Sequence, residues 1–518
     1  MEGNRQAPEA STPPPKEPGK GASIKPMLAK ASLWALVAAL GTQGAAFIIF
    51  VILARLLEPR HFGMVAFAAL FIDLSRGVML GGIPEALIQR KTWDEAAANT
   101  AFWLNIIAAA VFMLAAGVIA GGIVFFTHQV LFPLVFWALS ATLLIDAIRS
   151  VQEARLRRDF QYKVMAGRAI IAALVGGVVG VVCAFGGLGV WALVISRIVT
   201  SAVQSAVIWN AAPFQPRFQL TRSEVRPLLD FGASVVASRL VGQMNGRLPD
   251  FLIGLVAGPA ALGMFRVGSR SLNFLSQTFI TPVQNMTLSA FSRIDGREAV
   301  ARAYKRFTQL CGLFTFPAFF GGAVIASDFI RLCFGEKWAD SAKVMSVLAL
   351  AVLATTLMQF FQPAMQSVGR PKSGLLTEFI KLAAGTVLVG GLSLFGPFAA
   401  AFGDTARRYV SLPESFRMLR KELGLTARSL LGGVATPLAA AAFMAISLLA
   451  LKIFLLDHWT PLARLCLMGP LGAVLYAGAL LTVGRPFMRD ILESARGMLP
   501  RAIAQLLGRL VGARTARI

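Results

Sequence analysis

The chain contains 518 residues, of which 56% are hydrophobic and 15% are charged, and its mean hydropathy is +0.67. Soluble domains usually carry about 25% charged residues, so this composition excludes an ordinary soluble enzyme. In a soluble chain the formal net charge of +24 at pH 7 would suggest a nucleic acid partner. Here Lys and Arg cluster in short connections between apolar stretches, a pattern that membrane topology produces. We therefore expect a polytopic membrane protein with no nucleic acid partner.

Fourteen apolar stretches are long enough to cross a bilayer core of about 30 Å as helices. They predict an all-α membrane protein with two six-helix lobes and two further helices. The first lobe, residues 31–211, holds predicted spans at 31–54, 63–88, 98–124, 130–148, 169–186 and 190–211. The second lobe, residues 228–416, holds predicted spans at 228–253, 263–292, 307–330, 344–367, 373–394 and 397–416. The final pair, within residues 429–484, lies at 429–451 and 465–484.

The segments outside the predicted spans are polar or basic. Residues 1–30 form a polar tail with three consecutive prolines, and we expect this tail to be disordered and cytoplasmic. Residues 212–227 are predicted to link the two lobes on the cytoplasmic side. The tail at residues 485–518 alternates apolar residues with Arg, which predicts an amphipathic helix on anionic lipid. Docking of this tail to a partner protein is the alternative.

The distribution of basic residues predicts the orientation of the chain. With fourteen spans, the side opposite to the termini carries seven Lys and Arg residues, and most of the others lie on the side of the termini. The positive-inside rule therefore predicts that both termini are cytoplasmic. The twelfth span contains Asp404, Arg407 and Arg408. We retain it as a span because its loss would move the Arg-rich C-terminal tail to the outside.

An internal repeat supports the division into two lobes of six helices. The pattern P-x-x-[FL]-G-M occurs at residues 59–64, after the first span, and again at residues 259–264, after the seventh. The same offset of 200 residues pairs Asp73 with Asn273. Because six is an even number, both lobes insert with the same orientation and are related by an axis along the membrane normal. Proteins built this way typically hold their substrate between the lobes.

The seventh and eighth spans carry polar residues at helical spacing, so each set lies on one face of a helix. In the seventh span the stripe consists of Arg239, Gln243, Arg247 and Asp250, and Asn245 lies beside it. In the eighth span the stripe consists of Arg266, Arg270, Asn273, Gln277, Thr281 and Gln284. Two adjacent helices therefore each present a polar face.

These stripes predict a water-filled, net cationic cavity. An Arg at the bilayer centre costs about 2.5–3.5 kcal/mol on insertion scales, so it persists where it faces a cavity or a partner. The alternative is that Arg247 pairs with Asp250 and the other arginines extend to the lipid headgroups. This alternative explains Arg266, near the predicted boundary, better than it explains Arg239 and Arg270, because one Asp cannot neutralise three Arg.

The first lobe contributes less charge to the predicted cavity. Asp73 and Arg76 are three residues apart in the second span and can pair within one helix. For Asp73, this ion pair and a proton or cation site are equally compatible with the sequence. Asp73 and Asp250 are therefore the two candidates for ion coupling.

A cationic cavity implies an anionic group on the substrate, because the guanidinium fork suits phosphate oxygens. The candidates are a phosphate, a diphosphate or an acidic sugar. The sequence contains no P-loop, HExxH or GxSxG motif, and its His residues are scattered. It therefore indicates no catalytic residue, no metal site and no cofactor.

Several motifs resemble, in order, the landmarks of the bacterial polysaccharide exporters of the Wzx-like flippase family. In the first lobe these motifs are E-A-L-I-Q-R at residues 85–90 and N-T-A-F-W-L-N at residues 99–105. In the second lobe they are D-F-L-I-G at 250–254, G-M-F at 263–265, Pro282 with F-S-R at 291–293, Pro317, G-E-K-W at 335–338 and S-V-G-R at 367–370. The resemblance covers about residues 32–425, and the charged twelfth span departs from the common pattern.

This family belongs to the multidrug/oligosaccharidyl-lipid/polysaccharide superfamily, so the resemblance implies two lobes around a central cavity, as in MATE transporters. It implies an alternating-access flippase of the bacterial inner membrane that moves undecaprenyl-diphosphate-linked oligosaccharide from the cytoplasmic to the periplasmic leaflet. We expect Arg239, Arg247 and Arg270 to bind the diphosphate. The complete set of candidate cavity residues is Arg76, Arg239, Gln243, Asn245, Arg247, Arg266, Arg270, Asn273 and Gln277.

The expected partners are this lipid-linked oligosaccharide, membrane lipids, and proteins that polymerise the polysaccharide and set its chain length. A multidrug antiporter of the same superfamily is the main alternative, although an excess of Arg over Asp argues against the export of cations. A membrane glycan polymerase or ligase is the second alternative. The longest predicted outer connection has about 13 residues, which is short for the catalytic loop that such enzymes usually present.

Overall fold

The computed structural model describes residues 43–90, 92–159, 161–281, 284, 287, 291, 294, 296–370 and 373–495. All regular elements in this part of the chain are helices, as predicted, and they belong to one unit, Thr42–Ile518. The N-terminal tail, the first part of the first span and the basic tail beyond residue 495 lie outside the described residues. So do Pro282 and the side chain of Arg239.

The helices of the first lobe lie at the predicted spans, but the second span is interrupted at Gly82 and the helix at the fourth span continues beyond residue 148 to Arg158. Pro59 stands at the start of its helix, where its fixed φ favours helix and its missing N–H costs nothing. Asp94 caps another helix by accepting hydrogen bonds from the backbone N–H groups of Ala96 at 3.0 Å and Ala97 at 3.3 Å. The described helices are α1 (Gln43–Leu56), α2 (Pro59–Gly81), α3 (Ile83–Gln89), α4 (Glu95–Thr127), α5 (Leu131–Arg158), α6 (Tyr162–Phe185) and α7 (Val190–Ala211).

The second lobe contains longer and more interrupted helices. The tenth predicted span is bent by 44° between residues 349 and 352, and the twelfth is divided at Ser411. The eighth begins at residue 258 rather than at 263, because Pro259 starts the helix. The described helices are α8 (Arg222–Val256), α9 (Gly258–Phe279), α10 (Arg297–Phe334), a 3₁₀ turn (Glu336–Trp338), α11 (Ala339–Ala349), α12 (Val352–Met358), α13 (Phe361–Ser367), α14 (Ser373–Ser393), α15 (Pro397–Val410) and α16 (Leu412–Leu423).

The final two predicted spans form long helices with defined starts. Thr426 and Thr460 cap them by accepting hydrogen bonds from the backbone N–H groups of Ser429 at 3.2 Å and Ala463 at 3.4 Å. A shorter helix follows and contains the first residues of the basic tail. These helices are α17 (Ala427–Phe454), α18 (Pro461–Thr482) and α19 (Arg485–Ala495).

Most of these helices have the length and apolar composition of membrane spans. Among the described residues nine candidate spans pass this test, or ten if the bent pair within residues 336–367 counts as one. The helices α8 and α9, at the seventh and eighth predicted spans, are long enough but do not pass, and α15 and the described part of α1 are shorter than the required length, α15 also carrying Asp404, Arg407 and Arg408. The predicted class, an all-α polytopic membrane protein, is therefore confirmed, with three helices that are unusually polar.

Helix packing brings these polar helices together. The helix α2 packs against α5, α7, α8 and α9, and so joins the first lobe to the second. In the second lobe α14 packs against α8 and α15, while α10 packs against α17 and α18. Buried aromatic side chains such as Trp338, Tyr304 and Phe316 fill the core of this half.

The segment between the two lobes is attached to the start of α4. The indole N–H of Trp103 donates to the backbone carbonyl of Arg217 at 2.9 Å, and the backbone N–H of Arg217 donates to Oδ1 of Asn99 at 2.8 Å. The hydroxyl oxygen of Thr100 accepts from the backbone N–H of Thr221 at 3.1 Å. The N-T-A-F-W motif therefore fixes the linker backbone just before α8 begins.

Candidate functional site

A cavity of about 680 Å³ lies between α2 and the helices of the second lobe. Asp73 and Leu74 of α2 are its lining residues from the first lobe, and the remainder come from the second. The sequence predicted a cavity between the lobes, and this one lies mostly within the second. The difference arises because α14 and α15 supply charged side chains as well as α8 and α9.

The lining is polar and nearly balanced in charge. Five basic side chains and four carboxylates face the cavity, together with hydroxyl and amide groups. The basic residues are Arg247, Arg266, Lys381, Arg407 and Arg408, and the acidic residues are Asp73, Asp250, Glu378 and Asp404. The neutral polar residues are Gln243, Asn245, Ser269, Asn273, Ser276, Thr355, Gln359 and Ser411.

Three guanidinium groups surround the carboxylate of Asp73. Nη1 of Arg76 lies 3.0 Å from Oδ1, Nη2 of Arg247 lies 2.9 Å from Oδ2, and Nη1 of Arg197 lies 3.8 Å from Oδ1. Arg76 also forms an ion pair with Asp146 at 2.7 Å. The Asp73 cluster, defined as these three arginines and Asp73, joins α2 and α7 of the first lobe to α8 of the second.

The arginines of the Asp73 cluster remain accessible. The exposed fractions of the side chains are 35% for Arg76, 35% for Arg247 and 45% for Arg197, against 18% for Asp73. Three cations around one carboxylate leave positive charge in excess at this point, even with Asp146 close by. Of the three arginines, Arg247 is the one among the residues lining the cavity, so an anion there can contact Arg247 directly while Arg76 and Arg197 still neutralise Asp73.

A second group of charges forms the opposite wall, on α8, α14 and α15. The amide Nδ2 of Asn245 donates to Oε2 of Glu378 at 2.7 Å, and Glu378 also pairs with Lys381 at 2.8 Å. Asp404 accepts from Nε of Arg407 at 2.6 Å and from Nη2 of Arg408 at 3.0 Å. We call these residues the Glu378 wall, and it presents both charges and an amide to the cavity.

The Asp73 cluster and the Glu378 wall both include a residue of α8. Asn245 faces the Glu378 wall, whereas Arg247 faces the Asp73 cluster, because residues two apart point to nearly opposite sides of a helix. Between them Asp250 pairs with Arg266 of α9 at 3.0 Å. The proposed pairing of Arg247 with Asp250 is therefore replaced by two ion pairs between helices.

The structure brings together most of the sequence-predicted residues. Arg247, Arg266, Gln243, Asn245, Asn273, Asp73 and Asp250 all line the cavity. Arg76 contacts the cavity only through Asp73. Arg270 and Gln277 are not among the lining residues, and the guanidinium of Arg270 lies 5.4 Å from the ring centroid of Phe50 in α1. The side chain of Arg239 lies outside the described part of the chain.

Sequence reasoning missed several residues of the site. Glu378 and Lys381 lie in the eleventh predicted span, and Arg197 lies in the sixth. The signal that could have identified them is a charged residue inside an otherwise apolar stretch. Asp404, Arg407 and Arg408 were recognised as charges of the twelfth span but were not assigned to a cavity.

A smaller cavity of about 240 Å³ lies in the first lobe next to Arg76. Its charged lining forms internal pairs, with Arg149 between Asp146 at 2.8 Å and Glu153 at 2.8 Å. Arg168 also pairs with Glu153 at 2.6 Å. Among the described residues, no group of three or more His, Cys, Asp or Glu side chains could hold a metal ion.

The fold and the cavity define a multi-pass helical membrane protein with a charged internal site. A family model described as "Polysaccharide biosynthesis protein" matches residues 52–343, which is more than half of the chain. The chain belongs to this family. The resemblance to polysaccharide exporters found in the sequence is thereby confirmed.

Curated relatives agree with this assignment. The chain is 24% identical over 493 residues to the succinoglycan biosynthesis transport protein ExoT of Rhizobium meliloti, covering 90% of this chain and 96% of the relative. It is 23% identical over 367 residues to the lipopolysaccharide biosynthesis protein WzxC of Escherichia coli, covering 68% of this chain and 70% of the relative.

Solved structures share the fold. The lipid II flippase MurJ, in an inward closed conformation, superposes with a TM-score of 0.70 at 12% sequence identity, over 91% of this chain and 100% of MurJ. An inward-facing multidrug resistance MATE family transporter of the MOP superfamily superposes with a TM-score of 0.57 at 14% identity, over 75% of this chain and 98% of the transporter. The predicted MATE-like architecture is therefore confirmed.

Proposed function

We propose that this protein is a flippase that moves a polyprenyl-diphosphate-linked oligosaccharide across the bacterial inner membrane by alternating access. The observation that carries the proposal is the Asp73 cluster, in which Arg76, Arg197 and Arg247 surround one carboxylate at the wall of the cavity. A protein of the polysaccharide biosynthesis family needs a site for an anionic lipid-linked glycan, and this cluster has the required charge. The relative ExoT is named a transport protein, which supports a transporter rather than an enzyme.

The chemistry of the cluster suits a diphosphate. Guanidinium groups form paired, charge-assisted hydrogen bonds with phosphate oxygens, and three of them can contact two phosphates at once. When a diphosphate binds, Arg247 exchanges part of its contact with Asp73 for contact with phosphate. This proposal keeps Arg247 from the sequence-based set and adds Arg76 and Arg197 in place of Arg270, which is not among the lining residues. The role of Arg239 stays a prediction, because its side chain lies outside the described residues.

The Glu378 wall suits the sugars that follow the diphosphate. Carboxylates, amides and ammonium groups all form hydrogen bonds with sugar hydroxyls, and Glu378 and Lys381 are each about one-third exposed. We assign the diphosphate to the Asp73 cluster and the first sugars to the space between Asn273, Gln359 and the Glu378 wall. The polyprenyl chain stays in the lipid.

The membrane potential favours export of such a substrate. An inside-negative potential favours the outward movement of two negative charges by about 4.6 kcal/mol per 100 mV. The distribution of Lys and Arg supports cytoplasmic termini, with entry from the cytoplasmic side. We also propose that the two six-helix lobes move relative to each other, and that polymerase and chain-length proteins receive the exported lipid.

The test is uptake of a short-chain polyprenyl-diphosphate oligosaccharide into sealed inverted vesicles. We expect Arg247→Ala to reduce uptake roughly tenfold or more, because a lost hydrogen bond to a charged group costs about 1.5–3 kcal/mol. Arg76 and Arg197 still neutralise Asp73 in this variant, so the fold is retained. Arg247→Lys keeps the charge but loses the fork, and we expect an intermediate rate.

The matched control is Arg417→Ala, which removes the same side chain at a position that is 80% exposed and outside the cavity. Its uptake should equal that of the wild type. Equal uptake by wild type and Arg247→Ala, at equal protein levels, would contradict the diphosphate site. No uptake of any lipid-linked glycan by the wild type would contradict the flippase itself.

The antiporter alternative depends on carboxylates that are free to bind a cation. The carboxylates of Asp73, Asp250, Glu378 and Asp404 each contact Arg or Lys. These contacts favour anion binding over cation binding in the cavity. An assay of drug efflux in cells separates the two functions, since only the antiporter would lower the cellular concentration of a cationic dye.

A further inference from the structure

The two copies of the P-x-x-[FL]-G-M motif contact each other. A Cβ added to Gly63 would lie 1.5 Å from the carbonyl oxygen of Pro259. Conversely, a Cβ added to Gly263 would lie 2.1 Å from the carbonyl oxygen of Pro59. The contact is reciprocal, as expected for two copies related by a pseudo-twofold axis. We call Pro59, Gly63, Pro259 and Gly263 the glycine seam.

The absence of a Cβ at both positions determines the geometry of the seam. Each proline stands at the start of its helix, so the first turns of α2 and α9 meet backbone to backbone. The closest approach is between backbone atoms, and the buried side chains of Phe62 and Leu262 pack beside it.

Side chains of the second lobe attach to the end of α1 beside the seam. The indole N–H of Trp338 donates to the carbonyl of Ala54 at 2.9 Å, and Nζ of Lys337 donates to the carbonyl of Arg55 at 2.7 Å. The guanidinium of Arg55 donates in return to the carbonyl of Cys333 at 2.8 Å. The first two bonds come from the G-E-K-W motif, and all three join the two lobes at the same end of the bundle.

The cavity begins at the turn of α9 that follows the glycine seam. Phe265 and Arg266, the second and third residues after Gly263, line the cavity. On the other side Phe67 and Phe71 of α2 pack against Phe251 of α8, with ring centroids 6.3 and 6.2 Å apart. The seam and this aromatic layer therefore cover the cavity at the end where α2 and α9 begin.

We propose that the glycine seam is the outer seal of the cavity, and that it separates when the cavity opens to the periplasm. This inference rests on the alternating access of the proposed function, and on the predicted orientation of the chain. It assigns a role to the P-x-x-[FL]-G-M and G-E-K-W motifs, which the diphosphate site leaves unexplained. Trp338 and Lys337 stabilise the sealed state, while Gly63 and Gly263 allow it to form.

The test measures the accessibility of the cavity from each side of the membrane. A reporter cysteine is introduced by Asn273→Cys in a full-length chain whose native cysteines are replaced by serine. A membrane-impermeant maleimide is then added to cells with a permeable outer membrane, or to inverted vesicles. The native cysteines to be replaced are Cys183, Cys311, Cys333 and Cys466.

We expect Gly63→Ala and Gly263→Ala to raise the ratio of outside to inside labelling about tenfold. A methyl group forced into a closed contact costs about as much as a tenfold shift in equilibrium. The matched control is Gly121→Ala, because a Cβ at Gly121 meets nothing within 4 Å. This control should label as the parent does.

Trp338→Phe is the second variant, since it keeps a large ring but loses the N–H that donates to Ala54. It should shift labelling in the same direction, by a smaller factor. An unchanged ratio in the glycine variants, at normal protein levels, would overturn the proposal. If the glycine variants do not accumulate, an unchanged ratio in Trp338→Phe would overturn it.

The labelling assay needs no substrate, so it separates the seal from the proposed function. A shifted ratio without glycan uptake by the wild type would retain the seal and reject the flippase. Uptake by the wild type, with an unchanged labelling ratio in all variants, would retain the flippase and reject the seal.

Discussion

Asp404 and Arg407 form a buried ion pair at the Glu378 wall. Their exposed fractions are 3% and 6%, and Nε of Arg407 lies 2.6 Å from Oδ1 of Asp404. Nη1 of Arg407 also donates to Oδ1 of Asn245 at 3.4 Å. Arg407 therefore connects α15 to α8, and its removal would leave a buried carboxylate with one partly exposed partner.

Arg407→Met should lower the free energy of unfolding by about 3–5 kcal/mol, the cost of breaking a buried ion pair from one side. Thermal unfolding in detergent measures this change as a lower apparent Tm. The double variant Asp404→Leu, Arg407→Met should recover much of the loss, because no charge remains unpaired. The control is Arg408→Met, at a side chain that is 40% exposed, and we expect a change of about 1 kcal/mol or less. Equal losses in both single variants would contradict this assignment.

Charge pairs within one helix could be predicted from spacing, whereas pairs between helices could not. Asp73 and Arg76 are three residues apart, and they pair as predicted. Arg247 is also three residues from Asp250, yet it contacts Asp73 instead. The choice between such partners depends on which helices are neighbours, and helix packing is not encoded in the local sequence pattern.

At the scale of elements, the positions of the helices followed from hydropathy. The polar stripe of the seventh span correctly indicated that α8 faces a cavity. The break at Ser411 has a local signal, because Pro413 stands in the first turn of α16, whereas the bend after α11 lies in apolar sequence without Pro or Gly and was less predictable. Such a bend arises from packing against neighbouring helices, and the sequence of one span carries no information about those neighbours.

The linker attachment gives a test at this scale. Asn99→Ala should speed trypsin cleavage after Arg217 roughly tenfold in inverted vesicles, because the backbone N–H of Arg217 loses its acceptor and the segment opens more often. Gel electrophoresis of timed digests measures the rate. The exposed Asn210→Ala, in α7, is the matched control and should be cleaved at the parent rate. Equal rates in both variants would argue that the linker is held by other contacts.

At the scale of the whole molecule, one carboxylate attaches the final two helices to the second lobe. Oδ2 of Asp328 in α10 lies 2.7 Å from Nζ of Lys452 in α17, and Oδ1 lies 3.1 Å from Nη1 of Arg464 in α18. The hydroxyl of Tyr476 adds a bond to the carbonyl of Leu313 at 2.8 Å. The final pair is therefore a fixed part of the second lobe.

Asp328→Asn should reduce stability by about 3–5 kcal/mol, because Lys452 and Arg464 then lose the buried carboxylate that they share at the junction of three helices. The readout is the apparent Tm in detergent, together with protease sensitivity of the connection between α17 and α18. Asp457→Asn is the control, at a carboxylate that is 78% exposed and 4.0 Å from Arg464. A Tm loss that is no larger than in the control would show that apolar packing alone holds the pair.

The repeat in the sequence indicated two related halves, but it could not indicate that they differ in function. In the first lobe, the charges around the smaller cavity largely satisfy each other, with Arg149 between Asp146 and Glu153. Arg76 and Arg197 contact Asp73 at the boundary with the second lobe. In the second lobe, charges on α8, α9, α14 and α15 border open space. The difference lies in which partners meet after folding, and a shared hydropathy pattern cannot report it.

The short connection between α8 and α9 has a consequence for the biogenesis of the protein. Only Ala257 separates the two helices, and Asp250 and Arg266 form their ion pair across this turn. Each helix alone would carry an unpaired charge into hydrocarbon, at about 2.5–3.5 kcal/mol per group. As a hairpin they enter with that charge already neutralised, so we expect the two helices to insert together. The residues that build the cavity thus also set the order in which the second lobe can be assembled.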